Sequence, residues 1–340
     1  MRVCVAGGGL AGALLAWRLA QRLGTEVDLM TGPRPVTDAT AASGGAVRAY
    51  ETRPAQRELA IASLAELLAS PVLRQWGGYH ETGFAYIREP GADLPGALAE
   101  IDRELPGSAE LISPAEAFRG EDGRPAWTGG ESGVVVRERL AGYLSPGRLR
   151  DAVLEDFAAR PGARVRPVPL EASLSTGGYD AVVLAVGAWT TRLLPELGLS
   201  AQAYRTRSIQ YTIYDAGSWR PGGFTDDRTG LYGRPAPDGG LLLGVPTTEW
   251  DVPPGAAQVT GAWHDQARRL AAGCLPLLKL GRARQRVAAA DCYCDPPILA
   301  LREVEGPLPR TFTFTGGSGG CVKTALAASQ RAAGQLQALP

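Results

Sequence analysis

The residues that stand out for chemistry in this chain are its glycine turns, a few cations and its cysteines, and only two histidines, His80 and His264, are present. The turn Gly7-Gly8-Gly9-Leu10-Ala11-Gly12 follows the apolar run Arg2-Val3-Cys4-Val5-Ala6 and precedes an amphipathic run from Ala13 to Leu23. Strand, glycine turn and helix in that order form a seat for a dinucleotide pyrophosphate. Gly7 permits the tight turn, Gly9 lets the backbone approach the phosphates, and Gly12 lets the helix pack close to the strand. The helix N-terminus adds free N–H groups and a partial positive charge. Alone, this turn does not choose between FAD, NAD and NADP.

A second glycine turn, Gly316-Gly317-Ser318-Gly319-Gly320, lies between the apolar Phe312-Thr313-Phe314 and a helical run from Val322 to Leu336. Such flanks argue for a built turn and against a flexible loop. Lys323 stands just beyond it. Of the 35 basic residues only Lys279 and Lys323 are lysines, so a lysine inside a motif stands out. Cys292 and Cys294 could be half of a metal site, but the chain's two histidines, His80 and His264, are in no ligand spacing with them, so a buried or reactive thiol is the better reading.

These residues need elements to position them. A strand is expected over Glu26 to Met30, ended by Thr31-Gly32-Pro33, and a small-residue turn over Ala39 to Gly45. Helical spacing marks about Arg53 to Leu68, and Ser145 and Pro146 open another helix to about Ala159, as N-cap and first residue. Asp180 to Val186 reads as a strand buried on both faces, as in a parallel sheet. From Ser208 to about Val245 the pattern alternates, which indicates an antiparallel sheet and a different domain.

The chain has 340 residues, enough for two domains. Its 45% hydrophobic and 21% charged residues are those of an ordinary globular protein. A formal net charge of zero gives no electrostatic case for nucleic acid or an anionic membrane. No apolar stretch approaches the roughly 20 residues that span a bilayer. The first strand starts at Arg2, leaving no room for a signal peptide, and five cysteines without such a signal suggest no disulfide framework. The expectation is a cytoplasmic monomer or homodimer whose partners are small molecules.

On these motifs the chain resembles the FAD-dependent D-amino acid oxidase superfamily, most closely its sarcosine oxidase and glycine oxidase branches. The resemblance runs over nearly the whole length. It rests on Gly7 to Gly12, Ala42-Ser43-Gly44-Gly45 through Arg48, Gly142-Tyr143-Leu144-Ser145-Pro146, Asp180 through Gly187-Ala188-Trp189, and Gly316 through Lys323. Tyr232-Gly233-Arg234-Pro235 and Leu242-Leu243-Gly244 look like the family's substrate-sheet hairpin. The fold implied combines α/β and α+β parts. A Rossmann-like FAD-binding domain is built from the discontinuous segments 1–78, 142–204 and 290–340, and a second domain, 79–141 and 205–289, carries a mainly antiparallel substrate-binding sheet.

The resemblance implies an oxidase acting on the carbon–nitrogen bond of a small amino acid or secondary amine that carries a carboxylate. Hydride passes to the flavin, the imine hydrolyses, and molecular oxygen is the expected electron acceptor. Arg48 and Lys323 match the cations that hold the substrate carboxylate, a task suited to a bidentate guanidinium and a point ammonium charge. Tyr211 and Tyr232 are candidates to line the pocket. The implied cofactor contacts are Gly7, Gly9, Leu10, Ala11, Gly12, Thr31, Arg34, Ser43, Gly44, Gly45, Val168, Val186, Gly187, Trp189, Cys292, Gly317, Ser318, Gly319, Gly320, Cys321 and Lys323. Several relatives hold FAD covalently through a cysteine shortly before the last glycine turn. Cys292 lies near that place, with Cys294 as competitor and an inert buried thiol as the alternative.

Three positions depart from the family pattern. Thr31 replaces the acid that binds ribose hydroxyls, and with Arg34 it resembles an NADP arrangement. Leu242 stands where related enzymes place the lysine that promotes reaction with oxygen. Gly320, followed by Cys321, replaces a histidine often found in the last turn. These departures keep two other readings open, an NADP-dependent dehydrogenase and a flavin-fold binding protein without turnover. They also leave room for a biosynthetic tailoring role on an unusual carbon–nitrogen bond.

Overall fold

The computed structural model describes residues 1–32, 38–91, 93–130, 133–167, 178–305 and 310–339. Strands are numbered in chain order. In the first sheet β1 (Arg2–Ala6) is flanked by β2 (Glu26–Met30) and β10 (Ala181–Leu184). Outside β2 lies β9 (Ala163–Arg166); outside β10 lie β17 (Thr311–Thr315) and then β16 (Ala300–Glu303). All neighbours are parallel except β16, which runs against β17. β1 and β17 are buried almost throughout, as expected for parallel strands covered on both faces.

The second sheet has the order β15 (Leu280–Cys294), β11 (Tyr204–Ala216), β14 (Gly240–Gly244), β13 (Tyr232–Ala236), β12 (Gly223–Asp226), β5 (Phe84–Arg88), β7 (Val134–Glu138) and β6 (Ala109–Ile112). It is antiparallel throughout apart from the β12–β5 pair. A small third sheet joins β3 (Ala46–Val47), β8 (Gly142–Tyr143) and β4 (His80–Glu81). A parallel sheet assembled from separated segments and a largely antiparallel one are thus both present. β15 runs unbroken through residue 290, taking one chain segment from the second sheet toward the last glycine turn.

Five helices matter for the site: α1 (Leu10–Ala20), α2 (Pro54–Ala69), α3 (Pro146–Ala158), α4 (Gly261–Cys274) and α5 (Cys321–Gln337). Leu14, Leu15 and Leu19 of α1 share one core with Leu64 and Leu67 of α2, Phe157 of α3 and Leu336 of α5. A second core sits beneath α4, where Phe118, Trp127, Phe224, Leu241 and Leu243 pack together. The Ser145 hydroxyl accepts from the Arg148 N–H at 3.4 Å, so α3 starts as its Ser-Pro signal indicates.

Two local expectations shift. α1 begins at Leu10 and ends at Ala20, and Leu23 is fully exposed, because Gly9 is the N-cap and the chain turns at Gly24 (φ +72°). The strand read as far as Val186 stops at Leu184 and gives way to a 3-10 turn, Gly187–Trp189, entered at φ +54°.

The junction of β1, α1 and β10 is the tightest place in the fold. Gly7 has φ +115°, and a Cβ there would lie 2.3 Å from the Ala185 carbonyl oxygen. A Cβ on Gly12 would lie 2.0 Å from the Gly7 oxygen and 3.1 Å from Ala185 Cβ. Helix and strand therefore meet only if Gly12 has no side chain. Gly12→Ala is expected to lower stability by ~1–3 kcal/mol, the usual cost of overpacking. The readout is a lower urea midpoint at unchanged slope; a wild-type midpoint would show that helix and strand can part at no cost.

Candidate active site

One cavity of about 930 Å³ connects the two sheets, near the upper end of the ~300–1,000 Å³ usual for small-molecule sites. Gly7, Gly8, Gly9, Leu10 and Ala11 line one region, where β1 passes into α1. The Thr40 hydroxyl accepts from the Leu10 N–H at 3.0 Å and so caps part of that helix start. Thr31 lines the wall at the end of β2, beside Asp38 and Arg150. Those two form an ion pair at 3.1 Å, and Asp38 also accepts from the Ala41 N–H at 2.6 Å.

Further along, Ser43, Gly44 and Gly45 face Val186, Gly187 and Trp189, which follow β10, and Gly316, Gly317 and Gly319, which follow β17. The Asp291 carboxylate, on β15, accepts from the Gly319 N–H at 3.1 Å and the Cys292 N–H at 2.8 Å. Burial nevertheless pushes its pKa up.

The antiparallel sheet supplies side chains from alternate positions of its strands. Tyr211 on β11 lies opposite Gly244, which lies opposite Tyr232 on β13. Leu242 pairs with Ile213 on one side and Arg234 on the other. Tyr211, Tyr232, Arg234 and Leu242 all line the cavity. The Tyr232 hydroxyl donates to the Gln210 carbonyl at 2.9 Å, and burial raises both tyrosine pKa values.

Arg48 and Lys323 also reach the cavity, but neither is alone. The Arg48 guanidinium lies 3.0 Å from Glu51 Oε1, donates to the Tyr50 carbonyl, and sits over the rings of Phe84 and Tyr86 at 5.1 and 4.6 Å. Lys323 Nζ lies 2.5 Å from the same Glu51 oxygen. Burial opposes charge on Glu51, yet Arg48 and Lys323 outweigh it and hold the carboxyl below its ordinary value. Burial, with Arg48 beside it, pushes Lys323 below the ordinary lysine value. A second buried carboxylate, Glu138, accepts the Ala49 and Tyr50 N–H groups at 2.6 and 2.9 Å, and burial pushes it up. The expected pair of open cations is in fact two cations around one carboxylate.

Of the expected cofactor contacts, Gly12, Ser318 and Gly320 do not line the cavity. Gly12 packs beneath the first turn. Ser318, at φ +50°, accepts from the Cys294 N–H at 3.2 Å and donates to the Gly316 carbonyl at 3.1 Å, while the Gly320 N–H donates to the Gly317 carbonyl at 2.8 Å. These three shape the turns. Arg34 and Val168 lie outside the described residues.

The cysteines separate. Cys292 lines the cavity while packing against Cys4, Leu184 and Tyr204, and burial pushes its thiol up to about 12. Cys321, the first residue of α5, lines it too and is pushed up to about 12 by burial. Cys294 is not among the lining residues; its Sγ lies 3.0 Å from the Pro296 oxygen and 3.1 Å from the Gly316 oxygen.

Sequence reasoning missed Glu51, Asp38, Arg150, Arg234 and Asp291. Two carried a local signal: Glu51 is three residues from Arg48, and Arg234 shares its strand face with Tyr232.

Residues 2–335 match the FAD-dependent oxidoreductase (DAO) family. No curated protein matches the chain. Glycine oxidase from Bacillus cereus superposes with TM-score 0.70 at 19% identity, over 98% of this chain and 96% of that one. L-proline dehydrogenase from P. horikoshii gives 0.77 at 19%, over 98% and 92%, and iminodiacetate oxidase from Chelativorans sp. gives 0.71 at 18%, over 100% and 96%. At such identities the likeness is one of fold. The match of 2–335 covers nearly the whole sequence, and the chain belongs to the FAD-dependent oxidoreductase (DAO) family.

Proposed function

We propose that this chain oxidises the carbon–nitrogen bond of a small amine or amino acid that carries a carboxylate, within the cavity between its two sheets. The observation that supports this most is the convergence of both glycine turns, the Arg48–Glu51–Lys323 cluster and the tyrosine-bearing sheet face on one space. The similar structures are named for glycine, proline and iminodiacetate, each a small amine with a carboxylate. The NADP reading rested on Thr31 with Arg34; Arg34 lies outside the described residues and the family is FAD-dependent.

The residues present fit FAD. At Gly9 and Gly44 an added Cβ would approach protein no closer than 3.4 and 3.6 Å, so packing does not demand glycine at either place. A ligand that must touch the backbone does. Gly7, Gly9, Leu10 and Ala11 would hold its pyrophosphate, and Ser43 to Gly45, Val186 to Trp189, Gly317 and Gly319 would border its ring. When bound, FAD supplies an acceptor for the hydride on the carbon next to nitrogen. The protein's part is orientation and desolvation. Arg48 and Lys323 hold the carboxylate, and the dry wall of Tyr211, Tyr232 and Leu242 favours the neutral amine over its ammonium form.

The decisive experiment is anaerobic. Purified holoenzyme should be yellow, and its visible band should bleach with a small amine bearing a carboxylate but not with the same amine lacking it. A yellow protein that no such amine bleaches would leave the binding protein without turnover. Lys323 should shape the pH dependence. Because its charge is lost at lower pH than the ordinary 10.5, carboxylate binding should weaken as pH rises toward that value. Lys323→Arg should remove this alkaline limb, and Lys323→Met should weaken binding by ~2–5 kcal/mol, as for truncation of a buried charge pair. An unchanged Michaelis constant in Lys323→Met would remove its role.

Cys292, which lines the cavity where Cys294 does not, is the thiol we assign to a covalent link. Acid precipitation should leave colour in the pellet, Cys292→Ser should move it to the supernatant, and Cys294→Ser should not. Because burial keeps the thiol protonated near neutrality, linkage in apoprotein given FAD should be faster at pH 9 than at pH 7. Wild-type colour entirely in the supernatant would show FAD held without a bond.

A further inference from the structure

Arg234 is a cavity cation that the reading above does not use. Among the described residues five cationic side chains line the cavity, and four have carboxylate partners. Arg48 and Lys323 share Glu51, Arg150 pairs with Asp38 at 3.1 Å, and Arg192 pairs with Glu196 at 2.8 Å. Among the described residues no carboxylate pairs with Arg234. Its Nε donates to the Gly44 carbonyl and Nη1 to the Pro235 carbonyl at 2.6 Å, which uses two of the five N–H donors of a guanidinium. Its charged carbon sits 4.1 Å from the Tyr143 ring centroid, and Tyr211 lines the same cavity. Across the strands its neighbour is the apolar Leu242.

A guanidinium drawn out of water without an opposing charge is costly. Carbonyl oxygens and an aromatic face orient it but do not neutralise it. The Glu51 cluster has two cations with two buried carboxyl groups, Glu51 and Glu138, beside them, and Arg234 is a separate cation on a different strand. The remaining N–H donors form a set that a carboxylate, planar and accepting at both oxygens, satisfies, and Arg234 itself lines the cavity where such a group would enter.

We propose that Arg234 holds a second acidic group of the substrate, so that the substrate is an amine bearing two acidic groups, one met by the Arg48–Glu51–Lys323 cluster and the other by Arg234. This rests on the carbon–nitrogen oxidation proposed above and names its substrate class.

The test compares two sulfur analogues that cannot form an imine, thiodiacetate with two carboxylates and methylthioacetate with one. Each is titrated into the holoenzyme while the visible flavin band is followed. Thiodiacetate should bind at least about tenfold more tightly, the effect of one charge-assisted hydrogen bond. Arg234→Leu should abolish that preference while leaving methylthioacetate within about twofold of wild type on the same scale. Arg234→Lys should keep part of it, which guards against a leucine variant that fails to fold. Equal affinities in the wild type overturn the inference. So does an Arg234→Leu variant that weakens both ligands alike, or one that keeps the diacid preference. If methylthioacetate binds without a diacid advantage, only this inference falls. If neither analogue perturbs the band and no amine bleaches it, the proposed reaction falls as well.

Discussion

The carboxylate of Glu51, shared by Arg48 and Lys323, is the contact on which the working end of the molecule depends. It joins the segment after β3 to the first turn of α5, and Glu138 on β7 fixes the same segment by accepting the Ala49 and Tyr50 N–H groups. Buried charges tolerate this only as a set. Removing one partner of such a group costs about 3–5 kcal/mol because an uncompensated charge remains. The arrangement thus holds a wall of the cavity together and keeps two cationic side chains at it.

The two sheets contribute in different ways. β1, β2, β10 and β17 run parallel, so their carboxyl ends lie along one edge, and the residues after them, Gly7, Thr31, Val186 and Gly316, all line the cavity. An open parallel sheet presents ligands to this edge. What it offers there is mostly backbone, because glycines occupy the turns. The antiparallel sheet offers side chains instead, since alternation sends Tyr211, Tyr232, Arg234 and Leu242 toward the same space. Backbone suits a large invariant cofactor, and side chains suit a small variable substrate.

What could be read from the sequence follows this division. The glycine turns, the strands around them and the Ser145-Pro146 helix start are local patterns, and the structure has them within a few residues. The start of α1 was displaced because an apolar count begins at Ala13, whereas the helix begins where Gly9 ends the extended chain. Sharing was illegible. Nothing near Arg48 indicates that its carboxylate also serves Lys323, and nothing near Asp38 indicates Arg150, since both pairings need the folded chain. Arg234 was quoted within a hairpin motif without a role. A cation without a carboxylate can be recognised only once the other cations have found theirs.

The scarcity of histidine becomes intelligible when the cavity's titratable groups are compared. His80 is exposed, stacked on Tyr143 with ring centroids 4.9 Å apart, and the buried His264 hydrogen-bonds Thr212; neither lines the cavity. Asp291, Tyr211 and Tyr232 are pushed up by burial, and Lys323 and Arg234 are pushed down, so desolvation biases all five toward their neutral forms. Glu51, which pairs with two of the lining cations, is held the other way, because they outweigh burial there. An amine entering the same space meets the same bias and is driven from ammonium to free base. Hydride can leave the adjacent carbon only if nitrogen has a lone pair to share. In the proposed oxidation, the dryness of the cavity does work that a general base would do elsewhere.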